Sequence, residues 1–181
     1  MAFILDSSGS VKDEDFIEEK DIVSKLMMDL DLGPNKDRVG LVLFGIKSKL
    51  EAEFGQYEAL KTFQDVLQSL PKMDDRTRID RALNLAVDKI FPSARLGVYK
   101  MAIILTDGVQ STGARGLRPS SKPLRDAGVR VIAVGIGVGK QERRLQLMTD
   151  RAEDVVDAKN IQGHLQKILG DLSQNDCSKY Q

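Results

Sequence analysis

Cysteine is almost absent from this chain: Cys177 is the only one among 181 residues. A single thiol cannot close an internal disulfide, and a zinc site built on cysteines is excluded by count. Histidine is equally scarce, with His164 alone, flanking the apolar face of the last helical segment, where it reads as a boundary residue rather than a ligand. Net charge is missing too. Lysine plus arginine equals aspartate plus glutamate at 27 each, so nothing in the charge balance points to nucleic acid or to an anionic membrane surface. No apolar run approaches the roughly 20 residues that cross a bilayer, so no membrane insertion is expected. No secretory leader is visible. The chain opens directly on an apolar strand, and Met1 reads as a start placed on a fragment of a longer protein.

What is present is a soluble, globular composition, 41% apolar and 30% charged. "AFIL" (2–5), "VGLVLF" (39–44), "MAIIL" (101–105) and "VRVIAVGI" (129–136) are continuous apolar runs, the pattern of strands covered on both faces. "KLEAEF" (49–54) alternates and suits an edge, and "EDVVDA" (153–158) is a weak sixth strand. Between them lie segments with helical period: Phe16, Val23, Leu26, Met27 and Leu30; Leu60, Phe63, Leu67 and Leu70; Ile79, Ala82, Leu83, Ala86 and Ile90; Ile161, Leu165, Ile168, Leu169 and Leu172. Pro71 and Pro92 stop two of them. This alternation predicts an α/β doubly wound fold: a mostly parallel six-stranded sheet, order 3-2-1-4-5-6, with one antiparallel edge strand and helices on both faces. One domain is expected over 1–173, followed by a polar tail at 174–181. "RGLRPSSKPLR" (115–125) reads as a basic, proline-containing loop, open to an anionic partner such as a sulfated glycan.

In such a sheet ligands bind beyond the carboxyl ends of the strands, where the strand order reverses. Two strands end there in aspartate: the first in "ILDSSGS", the fourth in "IILTDGVQS". Asp6 and Asp107 are then expected to face one crevice, with Ser8 and Ser10 in the loop just after Asp6. Two close carboxylates repel unless neutralised. Hydroxyls nearby, without histidine or cysteine, suit a hard divalent cation: Mg²⁺, with Mn²⁺ or Ca²⁺ as alternatives. Hydroxyl ligands leave such a cation electron-poor, so an anionic oxygen from a partner can complete its coordination. By itself, Asp-x-Ser-x-Ser is a weak signal whose plain reading is a serine-rich turn capping a helix, "TDG" is a common strand exit, and "GIGVG" (135–139) lacks the dinucleotide spacing and reads as turn glycines.

"DSSGS" resembles the Asp-x-Ser-x-Ser signature of von Willebrand factor A domains, a family that includes integrin inserted domains, matrilins and collagen-associated modules. The resemblance extends over residues 2–173. It supplies a fifth candidate ligand, because Thr77 in "DDRTRIDRAL" stands at the family's offset from Ala82 and Leu83, and it matches Asp107 to the aspartate of "LTDG". It implies a metal-ion-dependent adhesion site of Asp6, Ser8, Ser10, Thr77 and Asp107. Ser8, Ser10 and Thr77 would bind directly, and Asp6 and Asp107 directly or through water. It also implies a non-enzymatic, extracellular module of a larger secreted protein, bound by a protein partner that supplies a carboxylate, an extracellular-matrix component such as collagen being one example. Cys177 would then pair with a cysteine upstream of the first strand in the parent. Two departures stand out. Ile79 and Asp80 occupy positions where the family often has a second threonine and a glycine, so Asp80 is expected to add negative charge near the site, and the long insertion of collagen-binding integrin domains is missing after "GIGVG". Competing readings are a Mg²⁺-dependent phosphoryl-transfer enzyme of the haloacid-dehalogenase type, which would place an aspartate where Ser8 stands, and a structural matrix domain whose metal site has no ligand role.

Overall fold

A computed structural model describes residues 1–137 and 142–174. Six strands form one sheet in the order β3-β2-β1-β4-β5-β6: β1 (Ala2–Asp6), β2 (Gly40–Phe44), β3 (Ser48–Ala52), β4 (Lys100–Thr106), β5 (Val129–Gly135) and β6 (Val155–Asp157). All neighbours run parallel except β2 and β3. Every residue of β1 and β2 is buried, because helices cover both faces. Phe3 and Leu5 point into one core with Val23, Leu26, Phe63, Leu67, Leu165 and Ile168. Ala2 and Ile4 point into the other with Ile79, Leu83, Ile90 and Leu124. β3, at the edge, is only partly covered, as its alternating sequence predicts.

The helices of the first face are α1 (Asp13–Met27), α2 (Leu60–Ser69) and α6 (Ile161–Gln174). Leu30 lies beyond the end of α1 and packs on that core from a turn. α2 stops at Leu70, which is extended because Pro71 follows. On the second face α3 (Ile79–Leu85) continues into a π turn, Ala86–Ile90, that closes at the 3₁₀ turn containing Pro92. The segment 115–125, expected as a loop, is instead largely α4 (Leu117–Asp126). Pro119 falls in its first turn, where an N–H would have no helical acceptor. Pro123 forgoes one internal bond, offset by burial of Leu117, Ser120, Ser121 and Leu124 against the sheet. Only α5 (Glu142–Leu145) is described from the "KQERR" run expected as a helix start. Cys177 and most of the expected tail lie outside the described residues.

Candidate functional site

The site is assembled at the carboxyl ends of β1 and β4, which pair directly with Leu5 beside Leu105. One step further on, Asp6 lies beside Thr106, and the Thr106 hydroxyl donates to Asp6 Oδ2 at 2.5 Å. Asp6 Oδ1 accepts from the Ser8 amide at 3.0 Å, the turn that reverses the chain after β1. Asp107, the first residue after β4, accepts from the Val109 amide at 2.8 Å through Oδ1.

The Thr77 loop is tied to this turn by backbone bonds. Met73 and Asp74 donate to the Ser7 carbonyl at 3.0 and 2.9 Å, and Gly9 donates to the Asp75 carbonyl at 2.7 Å. Asp74 sits in the left-handed region, φ 57°, which turns the loop back toward the sheet. Lys72 Nζ adds a bond to the Ser8 carbonyl at 2.8 Å. The Asp75 carboxylate accepts from the Ile46 amide at 2.7 Å and occupies space that a side chain at residue 45 would need: a Cβ on Gly45 would lie 1.9 Å from Asp75 Oδ1. Across the crevice the Thr77 amide donates to Ser111 Oγ at 3.0 Å, and the Ser111 amide donates to the Thr77 carbonyl at 3.1 Å.

These ties bring three hydroxyls from two loops into one triangle. Thr77 Oγ1 donates to Ser8 Oγ at 2.8 Å, Ser8 Oγ and Ser10 Oγ are 3.2 Å apart, and Ser10 Oγ and Thr77 Oγ1 are 3.3 Å apart. Each hydroxyl has one proton and two lone pairs, so acceptor capacity remains for an external cation. Asp6, Ser8 and Thr77 are buried, Asp107 is half-buried and Ser10 is exposed. The cluster is closed below and open above.

Burial pushes the Asp6 carboxyl up to about 7, hydrogen bonds from Ser8 and Thr106 oppose this, and the Asp107 charge adds to it. Beneath it Glu19, also fully buried, accepts from the Asp6 amide at 3.1 Å through Oε2, while Oε1 has no hydrogen-bond partner. Burial, and then the Asp6 charge, hold the Glu19 carboxyl well above the usual range. Ionising either carboxyl is thus costly in the metal-free protein, and both favour the protonated form. Among the described residues no three histidine, cysteine, aspartate or glutamate side chains gather as a metal site. Asp6 and Asp107 with the hydroxyls of Ser8, Ser10 and Thr77 are the hard oxygen donors at this end of the sheet that could hold a cation.

All five residues singled out from the sequence stand at this end of the sheet, and the structure links four of them, Asp6, Ser8, Ser10 and Thr77, through hydrogen bonds. Asp80 does not carry free charge into the site as expected. Arg78 grips it with two bonds of 2.8 and 2.7 Å, the Arg115 amide adds a third at 3.1 Å, and its carboxyl is held below the usual range. Sequence reasoning missed Thr106, Ser111 and Glu19. Glu19 had left a signal, an acid on the apolar stripe of α1 between Phe16 and Val23. His164 bonds Asp154 at 3.1 Å, beside the Arg130–Asp154 ion pair, away from the hydroxyl cluster.

A model of the von Willebrand factor type A domain matches residues 1–170. The chain belongs to the von Willebrand factor type A domain family. Chicken matrilin-1 is 26% identical over 183 residues, covering 98% of this chain and 36% of the relative. Mouse von Willebrand factor A domain-containing protein 1 is 30% identical, covering 96% and 43% respectively. The chain thus spans less than half the length of these curated relatives. Among solved structures, proximal thread matrix protein 1 from the mussel byssus aligns over 97% of this chain and 45% of its own at TM-score 0.79 and 22% identity, which establishes a shared fold. A second structure of that mussel protein, described as having a zinc-occupied MIDAS motif, covers 92% of this chain and 46% of its own at TM-score 0.80 and 22% identity.

Proposed function

We propose that this von Willebrand factor type A domain is a metal-dependent adhesion module, extracellular and non-enzymatic, that holds a partner carboxylate through a divalent cation. The observation that carries the reading is the hydroxyl triangle of Ser8, Ser10 and Thr77 above buried Asp6. Ser8, Ser10 and Thr77 offer the direct ligands, and Asp6 and Asp107 supply the negative charge, directly or through water. The cation, when bound, neutralises the two aspartates and presents a Lewis-acidic position to a carboxylate oxygen from outside. Ser10 and Asp107, the more accessible members, border the approach. The similarity to matrilin-1 supports an extracellular-matrix setting.

Hard oxygen donors favour Mg²⁺ or Mn²⁺, and the mussel neighbour makes Zn²⁺ the necessary comparison. Calorimetric titration of the metal-free protein with each ion tests the site: Mg²⁺ or Mn²⁺ should bind and should fail to bind when Ser10 and Thr77 are both replaced by alanine. Tight Zn²⁺ binding with no response to Mg²⁺ or Mn²⁺ refutes the assignment. Capture of extracellular-matrix components that disappears in EDTA separates adhesion from a purely structural metal, and turnover of a chromogenic phosphate ester would instead reveal the phosphoryl-transfer chemistry.

A further inference from the structure

The ground around the hydroxyl cluster is electrically divided. On the α1 side the first turn is acidic, with Asp13, Glu14 and Asp15, followed by exposed Glu18. On the opposite side, the Thr77 loop and the start of α4 carry Arg76, Arg78, Arg115 and Arg118. The acids on that side are already occupied: Asp74 by Lys72 at 3.0 Å, Asp75 by the Ile46 amide, and Asp80 by Arg78. Arg76, Arg115 and Arg118 are exposed, and among the described residues none has a carboxylate partner. Arg76 is adjacent to Thr77. Arg115 is drawn to the same loop by its amide bond to Asp80, and the Ser111–Thr77 bonds hold the two loops edge to edge. Three exposed arginines without carboxylate partners among the described residues thus lie on the elements that border the cluster on this side, against a single exposed cation, Lys12, at the start of α1.

Resting on the metal-dependent reading of the site, we infer that its partner is an acidic protein segment. One carboxylate enters the cluster, and a second acid beside it is received by Arg76 and Arg115, so the chain of the ligand runs away from α1 toward α4. Arginine suits this role because its planar fork pairs with a carboxylate through two parallel bonds. The acidic first turn of α1 repels the same segment in the opposite orientation, which sets the direction of docking as well as its strength.

The test uses the full chain, immobilised, and two synthetic peptides, Gly-Gly-Glu-Gly-Gly and Gly-Asp-Glu-Asp-Gly, each conjugated to uncharged dextran so that multivalency raises weak contacts to a measurable level. In saturating Mg²⁺ the acid-rich conjugate should bind about tenfold more tightly than the single-glutamate conjugate, an advantage that shrinks as salt shortens the screening length to about 3 Å at 1 M. R76E/R115E should abolish that advantage without altering the calorimetric Mg²⁺ isotherm by more than about twofold, and D13K/E14K should enlarge it. Equal binding of the two conjugates in Mg²⁺, or a preference untouched by both double variants, overturns the inference while leaving the metal site standing. Undiminished binding of the acid-rich conjugate in EDTA also overturns it, since the arginines would then form a metal-independent polyanion surface of the kind that takes a sulfated glycan. Absence of Mg²⁺-dependent binding by either conjugate overturns the inference together with the adhesion reading.

Discussion

Asp6 gives the most direct physical test of the site, because its charge is costly until something neutralises it. The carboxyl is displaced from an ordinary value of 3.8 to about 7, chiefly by burial. In the unfolded chain it ionises near pH 4. In the metal-free folded protein it stays protonated until near pH 7. Between those values the folded state binds the extra proton, so stability falls as pH rises through this window and levels off above it. At 1.36 kcal/mol per pH unit, the loss reaches about 4 kcal/mol at pH 8, a large part of the total stability of a domain this size. Glu19 acts in the same direction, whereas Asp80, held low by Arg78, contributes a loss only at more acid pH. Chemical unfolding in EDTA at about pH 5 and about pH 8 therefore isolates the buried acids. The wild-type protein should be the more stable at the lower pH, and Asp6→Asn should reduce the difference by about 3 kcal/mol, the part of the loss that falls above pH 5. The replacement amide retains an oxygen acceptor for the Ser8 amide. Saturating Mg²⁺ should restore wild-type stability at the higher pH but not that of the variant. Equal wild-type stability at the two pH values, or an unchanged slope in Asp6→Asn, would refute the reasoning.

Two further perturbations examine how the site is held together. Asp107→Ala should abolish Mg²⁺ binding by calorimetry yet leave metal-free stability within about 1 kcal/mol of wild type, since the lost acceptor for the Val109 amide is offset by relief of repulsion on Asp6; a loss of several kcal/mol in EDTA would make Asp107 a structural residue. Gly45→Ala should destabilise the fold by about 1–3 kcal/mol and weaken Mg²⁺ binding, because the new Cβ displaces the Asp75 carboxylate from the Ile46 amide and loosens the loop that carries Thr77. Unchanged unfolding and metal binding would show that Asp75 does not position Thr77.

The architecture was readable in the linear order of residues because its signals are local. Runs such as "VGLVLF" are apolar throughout, as only strands covered on both faces can be, and the helical stripes share their faces whatever they pack against. The same locality explains the error at 115–125. Two prolines outweighed Leu117 and Leu124, whose burial against β5 and its neighbours becomes visible only once the sheet exists. Asp6, Ser8 and Ser10 were legible together because they follow one strand within five residues. Asp107 followed from strand order, and Thr77 from family likeness alone. That Ser8 and Thr77 are 2.8 Å apart was a matter for tertiary structure, since 69 residues separate them and the backbone bonds from residues 73, 74 and 75 to Ser7 and Gly9 join the loops. The state of the charges was decided there as well. Asp80 reads as a free acid in the sequence and is gripped by Arg78 in the fold, while Glu19, which the sequence places on the apolar stripe of α1, lies buried beneath Asp6. Composition counts carboxylates, but whether each is solvated, paired or stranded depends on which neighbours the fold brings within a few ångströms, where desolvation and pairing outweigh the intrinsic chemistry of the side chain.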